Sequence, residues 1–179
     1  MLTSSEPVMA RKAPMLRNQA MEKRYANEYV GLNNRMTDIH ASIGRVQLTK
    51  LAGWTKTRQE NAAFLSSNIT EAITPAVPDG YVHVYHQYTI RLEGATGEER
   101  DRFVIALKEE YQVGSGVYYP IPNHRLPSLA PYVPGLELPN TEKVAAECVS
   151  LQFHPSLSQA DRERIFAACL LYQCDAAVE

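Results

Sequence analysis

Histidine, cysteine and serine are the residues that most often bind metals or act as nucleophiles, but here they lack the spacing that those functions need. No histidine pair has zinc-protease spacing, no serine lies in a G-x-S-x-G turn, and the chain has no glycine-rich phosphate loop. Cys148, Cys169 and Cys174 are odd in number and lack C-x-x-C spacing. The sequence therefore predicts reduced thiols, no disulfide framework and no metal site.

Two polar segments present side chains that can meet a ligand. Asn33 and Arg35 lie in a turn directly before a long amphipathic stretch, where residue types alone favour a structural role. Tyr119 and His124 lie in a loop whose prolines restrict the backbone and lower the ordering cost of binding. His124 also has a structural alternative, as a histidine hydrogen-bonded within its loop.

The elements before residue 74 are predicted from apolar spacing. We expect a short helix over residues 6–16 that is interrupted near Pro14, and then a loop over residues 22–30. A long helix is predicted from Thr37, its expected cap, to about residue 73. Apolar residues recur along it at the spacing of a helix that packs one stripe on a core. The stripe comprises Ile39, Ile43, Val46, Leu51 and Trp54.

The rest of the chain alternates strands and helices. A strand over residues 86–92 places Tyr88, Ile90 and Leu92 on one face. We expect a helix over 98–111, a strand over 113–119, a turn over 120–127, a helix over 142–149 and a short extended segment over 150–153. A last helix over 158–172 begins with Ser158 as N-cap. This order predicts an α+β arrangement, a small sheet with helices packed on one side.

Composition gives little information about partners. The 179 residues are 45% hydrophobic and 21% charged, which fits one globular domain or one domain with an appendage. A net charge of −2 and a pI near 6.2 lack the basic character of a nucleic-acid-binding protein. No apolar run approaches a transmembrane length, and the first residues lack a basic region followed by an apolar stretch. We expect a soluble cytoplasmic protein without a membrane or nucleic-acid partner.

Three segments, in order, resemble the DegT/DnrJ/EryC1/StrS aminotransferases, pyridoxal-phosphate enzymes that aminate nucleotide-linked keto-sugars. Residues 116–124 resemble the family's V-x-Y-P-x-P-L-H loop, although Asn123 replaces the usual leucine and Tyr118 stands where histidine is frequent. Residues 138–155 resemble the family's carboxyl-terminal motif. The strongest match is to G-x-N-x-R-M-[ST]-D-x-x-A-A-x-G-x-x-Q-L, which is met by Gly31, Asn33, Arg35, Met36, Thr37, Asp38, Ala41, Gly44, Gln47 and Leu48.

The resemblance covers nearly the whole chain but only the carboxyl-terminal part of a family member. It implies the small domain of a type I, aspartate aminotransferase-like fold, a short sheet covered by helices and entered through a long helix. Residues 1–36 would be the end of the large cofactor-binding domain, 37–73 the connecting helix and 74–179 the small domain. Residues 1–5 read as a strand that follows the family's lysine-bearing segment.

The same resemblance implies roles for individual residues. Asn33 would reach from one subunit to the phosphate of pyridoxal phosphate bound mainly by the other, and its amide can donate hydrogen bonds there without a buried charge. Arg35 is a second candidate, for the phosphate or for fixing the turn. Tyr119 and His124 would contact the nucleotide-sugar substrate. His86 and Tyr88 resemble the family's H-x-[YF] segment and are further substrate candidates, although strand tyrosines are more often packing residues.

The lysine that forms the Schiff base in this family would lie upstream of this chain. The chain's own lysines, which have the neighbours of ordinary solvated faces, are Lys12, Lys23, Lys50, Lys56, Lys108 and Lys143. We therefore expect no catalytic residue here and no transamination by the chain alone.

Three functional alternatives remain open. The chain is the distal half of a split or truncated aminotransferase, completed in a homo- or hetero-oligomer by an upstream large-domain chain. Alternatively, it is a non-catalytic interaction module that pairs with an intact paralogue through the long helix. The third alternative is a non-functional remnant of such an enzyme, whose exposed apolar stripe favours association.

Overall fold

Two compact units make up the computed structural model, which describes residues 2–170. We call them the amino-terminal unit, Met1–Leu51, and the carboxyl-terminal unit, Ala52–Glu179. Cys174 and the predicted end of the last helix at residue 172 lie outside the described residues.

The amino-terminal unit begins with helix α1, Pro7–Arg17, whose first turn is capped by the Glu6 carboxylate. The predicted interruption near Pro14 is wrong, because the helix continues through it. A proline removes one helical hydrogen bond, but the last turn is secured by Met15. This residue is buried, and its carbonyl accepts the N–H groups of Asn18 at 2.9 Å and Ala20 at 2.7 Å.

Two short strands follow in the region that we predicted to be a loop. Strands β1, Met21–Lys23, and β2, Ala26–Asn27, pair antiparallel as a hairpin. The chain reverses with Tyr25 in the left-handed region, at φ 66°, a conformation more typical of glycine or asparagine. The expected strand over residues 1–5 is wrong for described residues 2–5, where the Ser4 hydroxyl instead accepts the N–H of Glu6 just before α1.

Helix α2, Asp38–Asn68, starts where the sequence predicts. Thr37 caps it, since its Oγ1 accepts the backbone N–H of His40 at 3.3 Å. The helix ends five residues before the predicted boundary at residue 73. Beyond it, Ile73 exchanges two backbone hydrogen bonds of 2.9 Å with Arg91, so this segment is extended beside a strand.

The apolar stripe in the first half of α2 is exposed. Ile39, Ile43 and Val46 keep 74%, 55% and 57% of their surface accessible, so they do not pack on a core formed by the described residues, as the third functional alternative expects. Further along the helix, Asn61, Ala62 and Leu65 are buried. The carboxyl-terminal part of α2 therefore anchors it in a core.

The carboxyl-terminal unit contains a three-stranded antiparallel sheet in the order β3, Tyr88–Arg91, β5, Cys148–Leu151, and β4, Ser115–Gly116. Tyr88 and Ser115 both pair with Leu151 on the central strand. The predicted alternation is confirmed, since Tyr88, Ile90 and Leu92 are all at most 1% exposed. Strand β4 is shorter than predicted because the N–H of Val113 donates to the carbonyl of Leu107 rather than to the sheet.

Three helices cover this sheet: α3, Gly97–Glu109, α4, Pro139–Glu147, and α5, Gln159–Cys169. Helix α4 starts three residues before its predicted beginning, and β5 starts at Cys148 rather than at residue 150. Ser158 caps α5 as predicted, in a reciprocal capping box with Asp161. The core joins Leu65, Leu107, Val149 and Ile165 from four elements, and each such side chain contributes about 1.5–3 kcal/mol on burial. The α+β prediction is confirmed.

Candidate functional site

The turn that carries Asn33 lies alongside the end of α1. Asn33 forms an antiparallel bridge with Asn18, and the N–H of Asn34 donates to the carbonyl of Arg17 at 3.0 Å. Gly31 permits this close approach. A Cβ there would collide with the backbone nitrogen of Ala20 and lie 2.5 Å from the carbonyl carbon of residue 19.

Arg35 reaches back to the same helix end. Its Nε donates to Oδ1 of Asn18 at 2.9 Å. Both residues line a cavity of about 570 Å³ within the amino-terminal unit. Asn33 is exposed beside this cavity but is not among its lining residues. The full lining is Arg11, Pro14, Met15, Arg17, Asn18, Met21, Glu22, Arg35 and Met36.

The charges around this cavity are unequal. Arg11 forms an ion pair with Glu22 at 2.6 Å, and its hydrogen bond lowers the pKa of the Glu22 carboxyl. Arg17 and Arg35 add two guanidinium groups to the same lining. Guanidinium groups suit phosphate and carboxylate oxygens, so this amino-terminal cavity is suited to an anion.

A second cavity, of about 400 Å³, lies in the carboxyl-terminal unit and brings together Tyr119 and His124. The ring of Tyr119 is 73% exposed, whereas His124 is 8% exposed. Tyrosine rings, an asparagine amide and apolar side chains share the lining, which suits a ligand with both flat and polar parts. It comprises Tyr118, Tyr119, Ile121, Pro122, Asn123, His124, Leu138, Thr141, Val144, Ala145 and Cys148.

A carboxylate on α4 fixes the orientation of His124. Its Nε2 lies 2.8 Å from Oε1 of Glu142, and the same oxygen accepts Nη2 of Arg125 at 2.7 Å. The hydrogen bond from His124, and to a smaller extent the one from Arg125, lowers the pKa of the Glu142 carboxyl. His124 is thus held by its loop and also lines the cavity, so the structural and ligand-binding alternatives are compatible.

The two remaining candidates, His86 and Tyr88, lie outside both cavities. Tyr88 is fully buried, its hydroxyl is 2.7 Å from Oγ of Ser66, and its ring stacks on Phe153 with centroids 5.4 Å apart. Burial raises the pKa of Tyr88 to about 12. The structure therefore places Tyr88 in the core rather than at a surface that a substrate reaches. His86 is exposed, and its carbonyl accepts Nη1 of Arg58 at 3.4 Å.

The model of the DegT/DnrJ/EryC1/StrS aminotransferase family matches residues 1–170. The chain belongs to this family. A pleiotropic regulatory protein of Geobacillus stearothermophilus is 33% identical to it over 92% of the chain and 44% of that protein. The dTDP-3-amino-3,6-dideoxy-alpha-D-galactopyranose transaminase of Aneurinibacillus thermoaerophilus is 28% identical over 96% of the chain and 46% of that enzyme. The chain thus spans slightly less than half the length of these relatives.

A solved structure agrees with the fold. The crystal structure of S. venezuelae DesV in complex with a ketimine intermediate superimposes with a TM-score of 0.83 at 27% identity, over 93% of this chain and 44% of that one. The expected type I fold and the family recognition are confirmed. A match to less than half of each relative is consistent with the predicted carboxyl-terminal part.

All six lysines of this family member are exposed, and none is among the lining residues of the two cavities described above. Lys12 lies 5.5 Å from the ring centroid of Tyr29, and Lys143 lies 3.8 Å from Glu147. Within residues 2–170, no group of three or more His, Cys, Asp or Glu side chains is arranged so that it could hold a metal ion. No helix in that range combines the length and apolar character needed to cross a bilayer.

Sequence reasoning missed the residues that hold the candidate side chains. Asn18 bonds to Arg35, and Glu142 bonds to His124, across 17 and 18 positions of the chain. Asn18 belongs to no motif or apolar period, whereas Glu142 lies in the motif of residues 138–155 but was given no role there. For Asn18 the available signal was its place two residues after the helix predicted over 6–16, because asparagine is common just beyond helix ends.

Proposed function

We propose that this chain provides the carboxyl-terminal part of a pyridoxal-phosphate-dependent aminotransferase that acts on nucleotide-linked keto-sugars in surface-polysaccharide or deoxysugar biosynthesis. The observation that carries the proposal is the family's turn, built by Gly31 against α1, with Arg35 at an arginine-lined cavity. In this proposal residues 1–36 end the large domain, 37–73 connect the domains and 74–179 form the small domain. The protein would act in the cytoplasm.

The residues at the amino-terminal cavity fit the phosphate of the cofactor. A phosphate monoester is close to a dianion at neutral pH, and Arg17 and Arg35 contribute two positive charges to the lining. The exposed amide of Asn33 adds neutral donors beside them. When bound, pyridoxal phosphate supplies the electron sink for amino-group transfer. The task of this chain is to hold and orient the phosphate.

The lysine that carries the cofactor would come from the large domain. An amine for this purpose must lie at the cofactor, whereas the six lysines here are exposed and outside both cavity linings. The isolated chain would then be inactive. Its partner would be an upstream large-domain polypeptide, or an intact paralogue, in a homo- or hetero-oligomer such as a dimer.

The carboxyl-terminal cavity would receive part of the nucleotide-sugar substrate. Tyr119 is exposed, and Glu142, itself paired with Arg125, holds His124 at the cavity wall. In the neutral tautomer whose Nε2–H faces this carboxylate, Nδ1 can accept from a substrate hydroxyl with little ordering cost. His86 remains a surface candidate in this proposal, whereas the buried Tyr88 serves packing.

Titration of pyridoxal phosphate tests the proposal. The chain is titrated alone and with a polypeptide carrying the large domain of the family, and cofactor absorbance and keto-sugar transamination are followed. We expect the absorbance of a lysine-bound cofactor, and turnover, only in the mixture. Both should fall at least tenfold with Arg35→Ala, because a charge-assisted contact contributes about 1.5–3 kcal/mol, and persist with the control Asn34→Ala. A mixture that never binds the cofactor would refute the proposal.

The exposed stripe on α2 favours a second candidate, a non-catalytic module that associates through this helix. Three apolar residues at helical spacing, Ile39, Ile43 and Val46, are each more than half exposed. This candidate predicts a specific hetero-oligomer with an intact paralogue that persists after Asn33→Ala and is lost after Ile43→Lys. Size-exclusion chromatography that shows only monomer would count against it. The remnant alternative predicts aggregation or low thermal stability, so a sharp cooperative melt would weaken it.

A further inference from the structure

We propose that Asn18 is a positioning residue that holds Arg35, beside Asn33, in the geometry needed to receive an anionic oxygen. This inference rests on the proposed phosphate role of the turn. It assigns a function to the residue that ends α1, which lies outside the motif that carries Asn33 and Arg35.

Asn18 uses two of its own groups for this purpose, and its position in the chain provides a third link. Its N–H donates to the carbonyl of Met15 at 2.9 Å, which fixes it to the end of α1. It lies opposite Asn33 in an antiparallel bridge whose hydrogen bonds are made by its neighbours: the N–H of residue 19 donates to the carbonyl of Leu32 at 2.8 Å, and the N–H of Asn34 donates to the carbonyl of Arg17 at 3.0 Å. The side-chain Oδ1 of Asn18 accepts Nε of Arg35 at 2.9 Å. Asn18 therefore bonds the helix end to Arg35, at the point where the turn that carries Asn33 pairs with that helix end.

The bond to Nε has a specific consequence for Arg35. An arginine side chain loses about 2 kcal/mol of rotamer entropy when it is fixed. A bond at Nε fixes the plane of the guanidinium while its Nη1 and Nη2 groups keep the paired donors that suit a phosphate. Because Asn18 and Arg35 line the same cavity, this order is imposed where the anion would bind.

Asn18 suits this role by its length and charge. A carboxylate in its place would also accept from Arg35, but it would add a negative charge to the anion site. The Arg11 and Glu22 ion pair already places one carboxylate in this lining. A neutral amide orders Arg35 and leaves its positive charge uncompensated, which an anion requires.

The test measures position and binding separately on the full chain labelled with ¹⁵N. The Nε–H signal of Arg35, assigned with Arg35→Lys, reports the bond to Asn18 through its exchange rate with water. Titration with inorganic phosphate reports binding through the shift of that signal and of the Asn33 amide. Asn18→Ala removes the acceptor, and Asn18→Asp retains it. Asn34→Ala is the matched control, because Asn34 bonds to α1 through its backbone.

We expect Asn18→Ala to accelerate exchange at Nε–H of Arg35 and to weaken phosphate binding about five- to tenfold, the value of one lost hydrogen bond. Asn18→Asp should keep exchange slow while phosphate binding weakens, and Asn34→Ala should change neither. Position 18 has a negative φ of −114°, which alanine adopts readily, and the backbone amide spectrum verifies folding.

The possible failures are distinguishable. If Arg35→Ala leaves phosphate binding unchanged, or the parent chain gives no phosphate-dependent shift, the proposed phosphate role falls and this inference falls with it. If Arg35→Ala weakens binding but Asn18→Ala alters neither exchange nor affinity, Arg35 acts without Asn18. In that case only the positioning inference is overturned.

Discussion

Replacement of Glu147 by glutamine should strongly destabilise the carboxyl-terminal unit. Glu147 is 1% exposed at the end of α4. Its Oε2 accepts both Nε of Arg91 at 3.0 Å and Nη2 at 2.5 Å, and its Oε1 accepts the N–H of Gly94 at 3.0 Å. These contacts connect α4 to strand β3 and to the turn that follows it.

The expected loss follows from these three hydrogen bonds. Glutamine keeps one acceptor oxygen, so it can serve either Arg91 or Gly94, and its NH₂ group then faces a donor. Removal of one partner from a buried ion pair costs about 3–5 kcal/mol. Arg91 is still 31% exposed, so water recovers part of its hydration, and we expect about 2–4 kcal/mol. Glu110→Gln, at an exposed position, is the control and should cost less than about 0.5 kcal/mol.

The acid dependence provides an independent check. Burial alone raises the pKa of Glu147, but hydrogen bonds from Arg91 and Gly94 outweigh it, so the pKa is lowered. A lowered pKa means that the stabilisation is complete above the unfolded value of about 4.3 and is lost as the pH falls through the folded value. The difference between parent and Glu147→Gln should therefore be largest near neutral pH and shrink in acid.

Hydrogen exchange gives the most local readout of this prediction. Ile90 and Val149 are register partners on adjacent strands, so exchange of their amides reports opening of the sheet beside Glu147. Exchange should accelerate by about two orders of magnitude in Glu147→Gln at neutral pH. Equal exchange in parent and variant, or a difference that does not depend on pH, would refute the reasoning.

Two further substitutions test the placement of single residues. Gly31→Ala should disrupt the turn against α1, because the new Cβ collides with the backbone of Ala20. Shifted backbone amide signals in the amino-terminal unit and loss of phosphate binding would confirm the disruption. An unchanged amide spectrum would contradict it. Tyr88→Phe should cost about 0.5–1.5 kcal/mol through its lost bond to Ser66. The pKa of Tyr88 is about 12 in the folded protein and about 10 in the unfolded chain. The parent protein should therefore lose stability as the pH rises from about 10 to about 12. In urea denaturation at alkaline pH, Tyr88→Phe should lack this loss. An equal alkaline loss in both proteins would exclude Tyr88 as its source.

The sequence pattern predicted those helices and strands whose limits depend on residues close together in the chain. The start of α2 follows from the Thr37 cap, and the buried face of β3 follows from its alternation. The end of α2 was wrong because Ile73 pairs with Arg91, a contact that no local pattern contains. The hairpin in the amino-terminal unit was missed because its reversal uses a tyrosine in a left-handed conformation.

The candidate site was predictable only through resemblance. Family motifs pointed to Arg35, Tyr119 and His124, which line cavities, although residue types alone favoured structural roles. Tyr88 shows the opposite case, since its alternation with Ile90 and Leu92 already indicated a core position. Asn18 was not predictable, because its partner depends on how the turn returns to α1.

The location of the cofactor amine tests the central claim most directly. The chain and a large-domain polypeptide are mixed with pyridoxal phosphate, reduced with borohydride and digested, and the pyridoxyl group is located by mass spectrometry. The account predicts one labelled lysine on the large-domain polypeptide and no stoichiometric label on this chain. Stoichiometric label on one of the six lysines of this chain, with transamination by the chain alone, would contradict it.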